Sequence, residues 1–146
     1  MRTLMLVMAL SRQPIEIACN DGVLTHFWTL LAKARYGQST REHAAFVVFD
    51  EGSYSFVAWP YGASEYAARY KGSIPEHTVA IIHTHPNAYP MPSAEDETVA
   101  QKTGIPIYVL TRTMISRTGP LRVWNGDWKP GRRPSDARSN CGKVLQ

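Results

Sequence analysis

His83 and His85 stand two residues apart, and Asp96 follows His85 by eleven. A continuously apolar run, Val79 to Ile82, leads into His83. Such a run suits a central strand buried on both faces. Residues two apart on a strand project to the same side, so its end would aim two imidazoles at one point. Two neutral imidazoles and a carboxylate form a typical catalytic zinc set, with the fourth position left for water. Zinc in such a set lowers the pKa of water from about 15.7 to about 7 and polarises a carbonyl. Hydrolysis then needs a carboxylate to move a proton and a hydroxyl or amide to meet the oxyanion.

Each feature also has a plain structural explanation. A His-x-His pair is common by chance. Ser93 and Asp96 match Ser-x-x-acid, a capping box that needs no catalysis. Pro86, Pro90 and Pro92 can simply shape a loop. The conjunction at these spacings is what carries weight.

The surrounding pattern must position these groups. Asn20 and Asp21 can cap a helix starting near Gly22, with Val23, Phe27, Leu30, Leu31 and Ala34 as one apolar stripe and Gly37 as its stop. A strand is expected over 42–49, a turn at Asp50, Glu51 and Gly52, and a return strand over 54–59, together a hairpin. Residues 63–71 read as a short helix closed by Gly72, and 78–83 as the central strand. The Pro-rich segment 86–92 must be a loop. Ser93 then caps a helix to about Thr103, with Gly104 beyond it. Strands are expected over 105–110, 114–117 and 121–124, with a tight turn at Asn125-Gly126. The order predicts one α/β domain, a mixed β-sheet flanked by helices.

The constellation resembles the JAMM (MPN-plus) zinc metallopeptidase family, in its small prokaryotic form. That family's signature is an upstream glutamate, His-x-His-Pro, then Ser-x-x-Asp, with ten residues between the second His and the Asp. Residues 86 to 95 supply those ten, and Pro86 and Pro92 stand in place. The resemblance spans roughly residues 20 to 124. It implies a cytidine-deaminase-like core and one Zn2+ per chain held by His83, His85 and Asp96. It further implies Ser93 on the oxyanion and Glu42 as general base. The family glutamate begins the strand after the first helix, and Glu42 sits there, in Arg41-Glu42-His43-Ala44-Ala45-Phe46. Glu16, Glu51, Glu65 and Glu76 are the other carboxylates considered. Glu16 precedes the first helix, Glu51 lies in a turn, and Glu65 lies on a surface helix.

The implied substrate is a protein or peptide, bound at the C-terminal tail of a ubiquitin-like or sulfur-carrier protein. Only 23 residues separate Trp59 from His83. That leaves little room for the insertion that grips a distal ubiquitin in specialised deubiquitinases. The competing class is a catalytically inactive assembly module. Such members lack one or more ligands, and all five positions are filled here. A deaminase would need His-x-Glu and Cys-x-x-Cys, and neither occurs.

The length, 146 residues, suits one domain, and 44% hydrophobic with 19% charged residues is ordinary globular composition. Residues 1–128 are taken as the metallopeptidase domain and 129–146 as a flexible tail. The formal net charge of +4 resides in that tail, where Lys129, Arg132, Arg133, Arg138 and Lys143 face Asp136 alone. A basic tail can touch nucleic acid, but a solvated end is the preferred reading. Cys19 and Cys141 are in no metal spacing, and free thiols in a reducing, cytoplasmic setting are expected. The opening MRTLMLVMAL resembles a signal peptide weakly, with no cleavage pattern after it. No apolar stretch approaches the ~18 residues that span a membrane. His26, His43, His77, Trp59, Trp124 and Trp128 are expected to be structural or at the rim.

Overall fold

Helix α1 (Asp21–Lys33) begins where the side chain of Asn20 accepts the Val23 N–H. Its stripe of Val23, Leu24, Phe27, Leu30 and Leu31 is fully buried. Each such burial is worth about 1.5–3 kcal/mol, which fixes the helix against the sheet. The computed structural model describes residues 16–59 and 73–119, and the backbone of 122–125. The expected helix over 63–71, the signal-like start, Gly126 of the expected turn, Trp128 and the boundary at residue 128 lie outside the described residues.

The strands are β1 (Ala44–Asp50), β2 (Ser53–Ala58), β3 (Thr78–Thr84), β4 (Ile107–Leu110), β5 (Met114–Arg117) and β6 (Arg122–Asn125). They form one six-stranded sheet in the order β2-β1-β3-β4-β5-β6. Among the described strands only β3 and β4 pair in parallel, and α2 (Ala94–Thr103) connects them. A parallel pair needs such a crossover, which is why the Pro-rich loop and α2 intervene. The β1–β2 hairpin, the central β3 and the mixed α/β sheet follow the sequence pattern.

The two faces of the sheet differ. On one, α1 packs over Ala45, Val47, Ala80, Ile82, Tyr108 and Leu110. On the other, Phe46, Ile81 and Ile107 pack with Trp59 and with Val99 and Ala100 of α2. Alternation along β3 therefore sends Ile82 toward α1 and Ile81 and His83 toward α2.

Two expectations need correction. The first helix ends at Lys33 and not at Gly37, because Arg35 and Tyr36 take left-handed backbone, with φ of 53° and 54°. Cys19 is disulfide-bonded, so the expected free thiol is not found there. Its partner lies outside the described residues. A disulfide is a feature of oxidising compartments, so the thiol argument for a cytoplasmic setting falls. No helix among the described residues is long and apolar enough to cross a membrane.

Candidate metal centre

β1 and β3 run antiparallel, with Ala44 opposite His83. Glu42 precedes β1 by two residues and thus lies beside the C-terminal end of β3. Thr84 secures that approach. Its N–H donates to the His43 carbonyl at 2.9 Å, and its hydroxyl oxygen accepts the His43 N–H at 3.0 Å. His85 continues past β3, its N–H donating to the Leu110 carbonyl of β4 at 3.0 Å. Two neighbouring strands thereby hold the strand end that carries both histidines.

Asp96 arrives from the other direction. Ser93 caps α2, its Oγ accepting the Asp96 N–H at 3.1 Å, while Asp96 Oδ2 accepts the Ser93 N–H at 2.7 Å. This is the reciprocal capping box read from the sequence. It also places the Ser93 hydroxyl beside the Asp96 carboxylate.

The four side chains converge. Glu42 Oε2 lies 3.4 Å from His83 Nδ1, and Asp96 Oδ1 lies 3.3 Å from His83 Nε2. His85 Nε2 faces Glu42 Oε1 at 3.7 Å and Asp96 Oδ2 at 3.8 Å. The imidazoles meet edge to face with centroids 4.6 Å apart. His83, His85 and Asp96 are all buried.

Charge explains the electrostatics. Burial works to neutralise His83, but the Asp96 and Glu42 carboxylates on either side of its ring prevail and raise it to about 9. Burial works against ionisation of Asp96, and His83 and the Ser93 cap outweigh it, bringing it down to about 2. His85 moves the other way: burial and the neighbouring His83 lower it, against the Tyr89 carbonyl 2.8 Å from its Nδ1. That carbonyl accepts from Nδ1–H, which leaves the Nε2 lone pair facing the centre.

His83 Nε2 is buried without a hydrogen bond although Asp96 Oδ1 is near. A buried nitrogen left unsatisfied is costly, and a metal ion would satisfy it. Glu42, His83 and His85 offer ligand atoms that all lie within 4.8 Å of one another. This group can hold a metal ion, and its imidazole and carboxylate donors suit zinc.

A family model for prokaryotic homologs of the JAB domain matches residues 25–126. The chain belongs to the prokaryotic JAB family, within the JAMM/MPN group. No curated protein matches it significantly. The match begins inside α1 and ends just past β6, so the JAB domain includes every strand described above.

Around the centre, this JAB domain opens a cleft of about 790 Å3. Trp59, Ile81, Val99 and Ile107 form an apolar wall, and Tyr89 and Met91 form part of the rim. Trp59 also packs on Phe46, centroids 5.3 Å apart, so it serves both core and cleft. The other glutamates are elsewhere. Glu16 is buried against Tyr108 and Arg117 on the α1 face, Glu51 is in the hairpin turn, and Glu76 is exposed beside His77. Glu65 lies outside the described residues. His26 stacks on Phe56, with ring centroids 3.8 Å apart. Sequence reading missed Thr84 and the Tyr89 carbonyl. Both act through contacts that no local pattern announces.

Proposed function

We propose that this JAB domain is a zinc-dependent metallopeptidase or isopeptidase acting at the C-terminal tail of a ubiquitin-like or sulfur-carrier protein. The observation that carries the reading is the convergence of Glu42, His83, His85 and Asp96 on one buried point at the floor of an apolar cleft. His83, His85 and Asp96 would hold one Zn2+. When bound, the ion supplies an acidified water and a polarised carbonyl. Glu42 takes the water's proton and returns it to the leaving amine. The Ser93 hydroxyl donates to the oxyanion as the carbonyl carbon becomes tetrahedral. The Ser93 cap keeps that hydroxyl beside Asp96, and the Tyr89 carbonyl keeps His85 in the Nδ1–H form. The apolar wall of Trp59, Ile81 and Ile107 keeps bulk water away and offers an extended tail somewhere to lie.

Both carboxylates approach both imidazoles, and it is Glu42, not Asp96, that forms with His83 and His85 the group whose ligand atoms all lie within 4.8 Å of one another. The acid-ligand assignment rests on the family pattern, in which the Ser-x-x-Asp acid binds metal and the upstream glutamate moves the proton. Metal analysis separates the two. Zinc per chain is measured in wild type, Asp96→Ala and Glu42→Gln. Zinc lost in Asp96→Ala and kept in Glu42→Gln supports the assignment, and the reverse would exchange the roles. A folded wild type that takes up no added zinc would sink the reading.

A further inference from the structure

We propose that Asn87 is a positioning residue, which sets the tautomer and aim of His85 by clamping the turn that follows it. The proposal concerns the metal centre and rests on the peptidase reading for its metal-binding arm only.

Asn87 joins three segments distant in sequence. Its N–H donates to the Gly37 carbonyl at 2.9 Å, and its Nδ2 donates to the Tyr36 carbonyl at 2.9 Å. Its Oδ1 accepts the Arg112 N–H at 2.9 Å. A carbonyl on one side and an N–H on the other admit only one orientation of the amide. The connection after α1, the turn after β4 and the site loop thereby meet at one side chain.

The fit is close. A Cβ built on Gly37 would lie 2.1 Å from Asn87 Oδ1, and Gly37 has φ of +77°. Arg35 and Tyr36 take the left-handed region without being glycine. That backbone is what presents the Tyr36 and Gly37 carbonyls to Asn87.

The clamp acts on His85 through a short path. The Tyr89 N–H donates to the Pro86 carbonyl at 2.9 Å, closing a four-residue turn in which Asn87 is the second residue. That turn aims the Tyr89 carbonyl at His85 Nδ1, 2.8 Å away. Beyond the turn, the Ser116 hydroxyl donates to the Pro90 carbonyl at 2.7 Å, so the loop is held at a second point. Asn87 is exposed, and each bond alone competes with water. Their convergence on one residue of the turn is what fixes the carbonyl. Partners of this kind fix a ligating histidine's tautomer and typically alter metal affinity 10–100-fold when lost.

The test uses the full-length chain with Asn87→Ala, Asn87→Asp, Gly37→Ala and the double variant Gly37→Ala/Asn87→Ala. In the metal-free protein, histidine ring 15N spectra read the tautomer of His85. The expected result is Nδ1–H in wild type and a mixture in Asn87→Ala. Zinc affinity, read by competition with a chromophoric chelator, is expected to fall at least about tenfold in Asn87→Ala. Asn87→Asp keeps the acceptor for Arg112 but turns a carboxylate oxygen to the Tyr36 carbonyl, so it falls between. Gly37→Ala displaces the Asn87 side chain and strains the backbone at φ +77°, so in the double variant only the part of its effect that passes through that side chain should vanish. A folded Asn87→Ala with wild-type tautomer overturns the proposal, even if melting temperature drops, because Asn87 is then a brace alone. Zinc affinity within twofold of wild type overturns it equally. A wild type that binds no zinc would refute the peptidase reading, and the tautomer spectra would still decide the role of Asn87.

Discussion

The sheet buries carboxylates on both faces, and the two are treated differently. On the α1 face, Glu16 accepts the Tyr108 hydroxyl and pairs with Arg117 Nη1 at 3.2 Å. A phenol and a guanidinium are donors only toward it, so that acid is matched within the fold. On the α2 face, Glu42 and Asp96 surround two imidazoles, and His83 Nε2 is left without a hydrogen bond. The first arrangement sets one acid against two donors. The second gathers Glu42, His83 and His85 so closely that the group can hold a metal ion.

The sharpest way to break this contrast is Glu42→Gln. It should retain zinc and lose about 10²–10⁴-fold in turnover, the range for a lost general base. Assay against a panel of ubiquitin-like tails checks this, and near-wild-type rates would move the base elsewhere. Next is Glu16→Ala, which strips Tyr108 and Arg117 of their acid and should cost about 3 kcal/mol of stability. Denaturant unfolding measures that, and zinc content per folded chain should not change. Loss of zinc together with stability would show that the two faces are coupled. The smallest expected effect is Ser93→Ala. A lost oxyanion donor lowers the rate by about 10²-fold. A lost cap alone costs about 1 kcal/mol and leaves the rate intact. Measuring both on the same variant separates the two roles.

The approach of His83, His85 and Asp96 to one another was legible because they lie close in sequence and strand alternation translates spacing directly into direction. The caps were legible for the same reason: Asn20, Ser93 with Asp96, and Gly104 in the left-handed region each act within one helical turn. Glu42 required the order of elements as well, since its partners lie about forty residues away. Contacts with no periodicity could not be read. Thr84 meets His43 across 41 residues, Asn87 meets Tyr36 across 51, and Tyr108 meets Glu16 across 92. The early end of α1 belongs with these, because the Tyr36 and Gly37 carbonyls just beyond it meet Asn87 from far along the chain. The disulfide of Cys19 is similar, for pairing leaves no local trace.

The antiparallel pairing of β1 and β3 has a practical consequence. Glu42 and His83 sit at one end of these strands, and the Glu51-Gly52 turn sits at the other. The distance between carboxylate and imidazole is set by hydrogen-bonded backbone at the site end alone. Residues grafted into that turn would ride on the far rim of the sheet. It is the natural place to attach a reporter or a fusion partner without disturbing the spacing of the candidate metal centre.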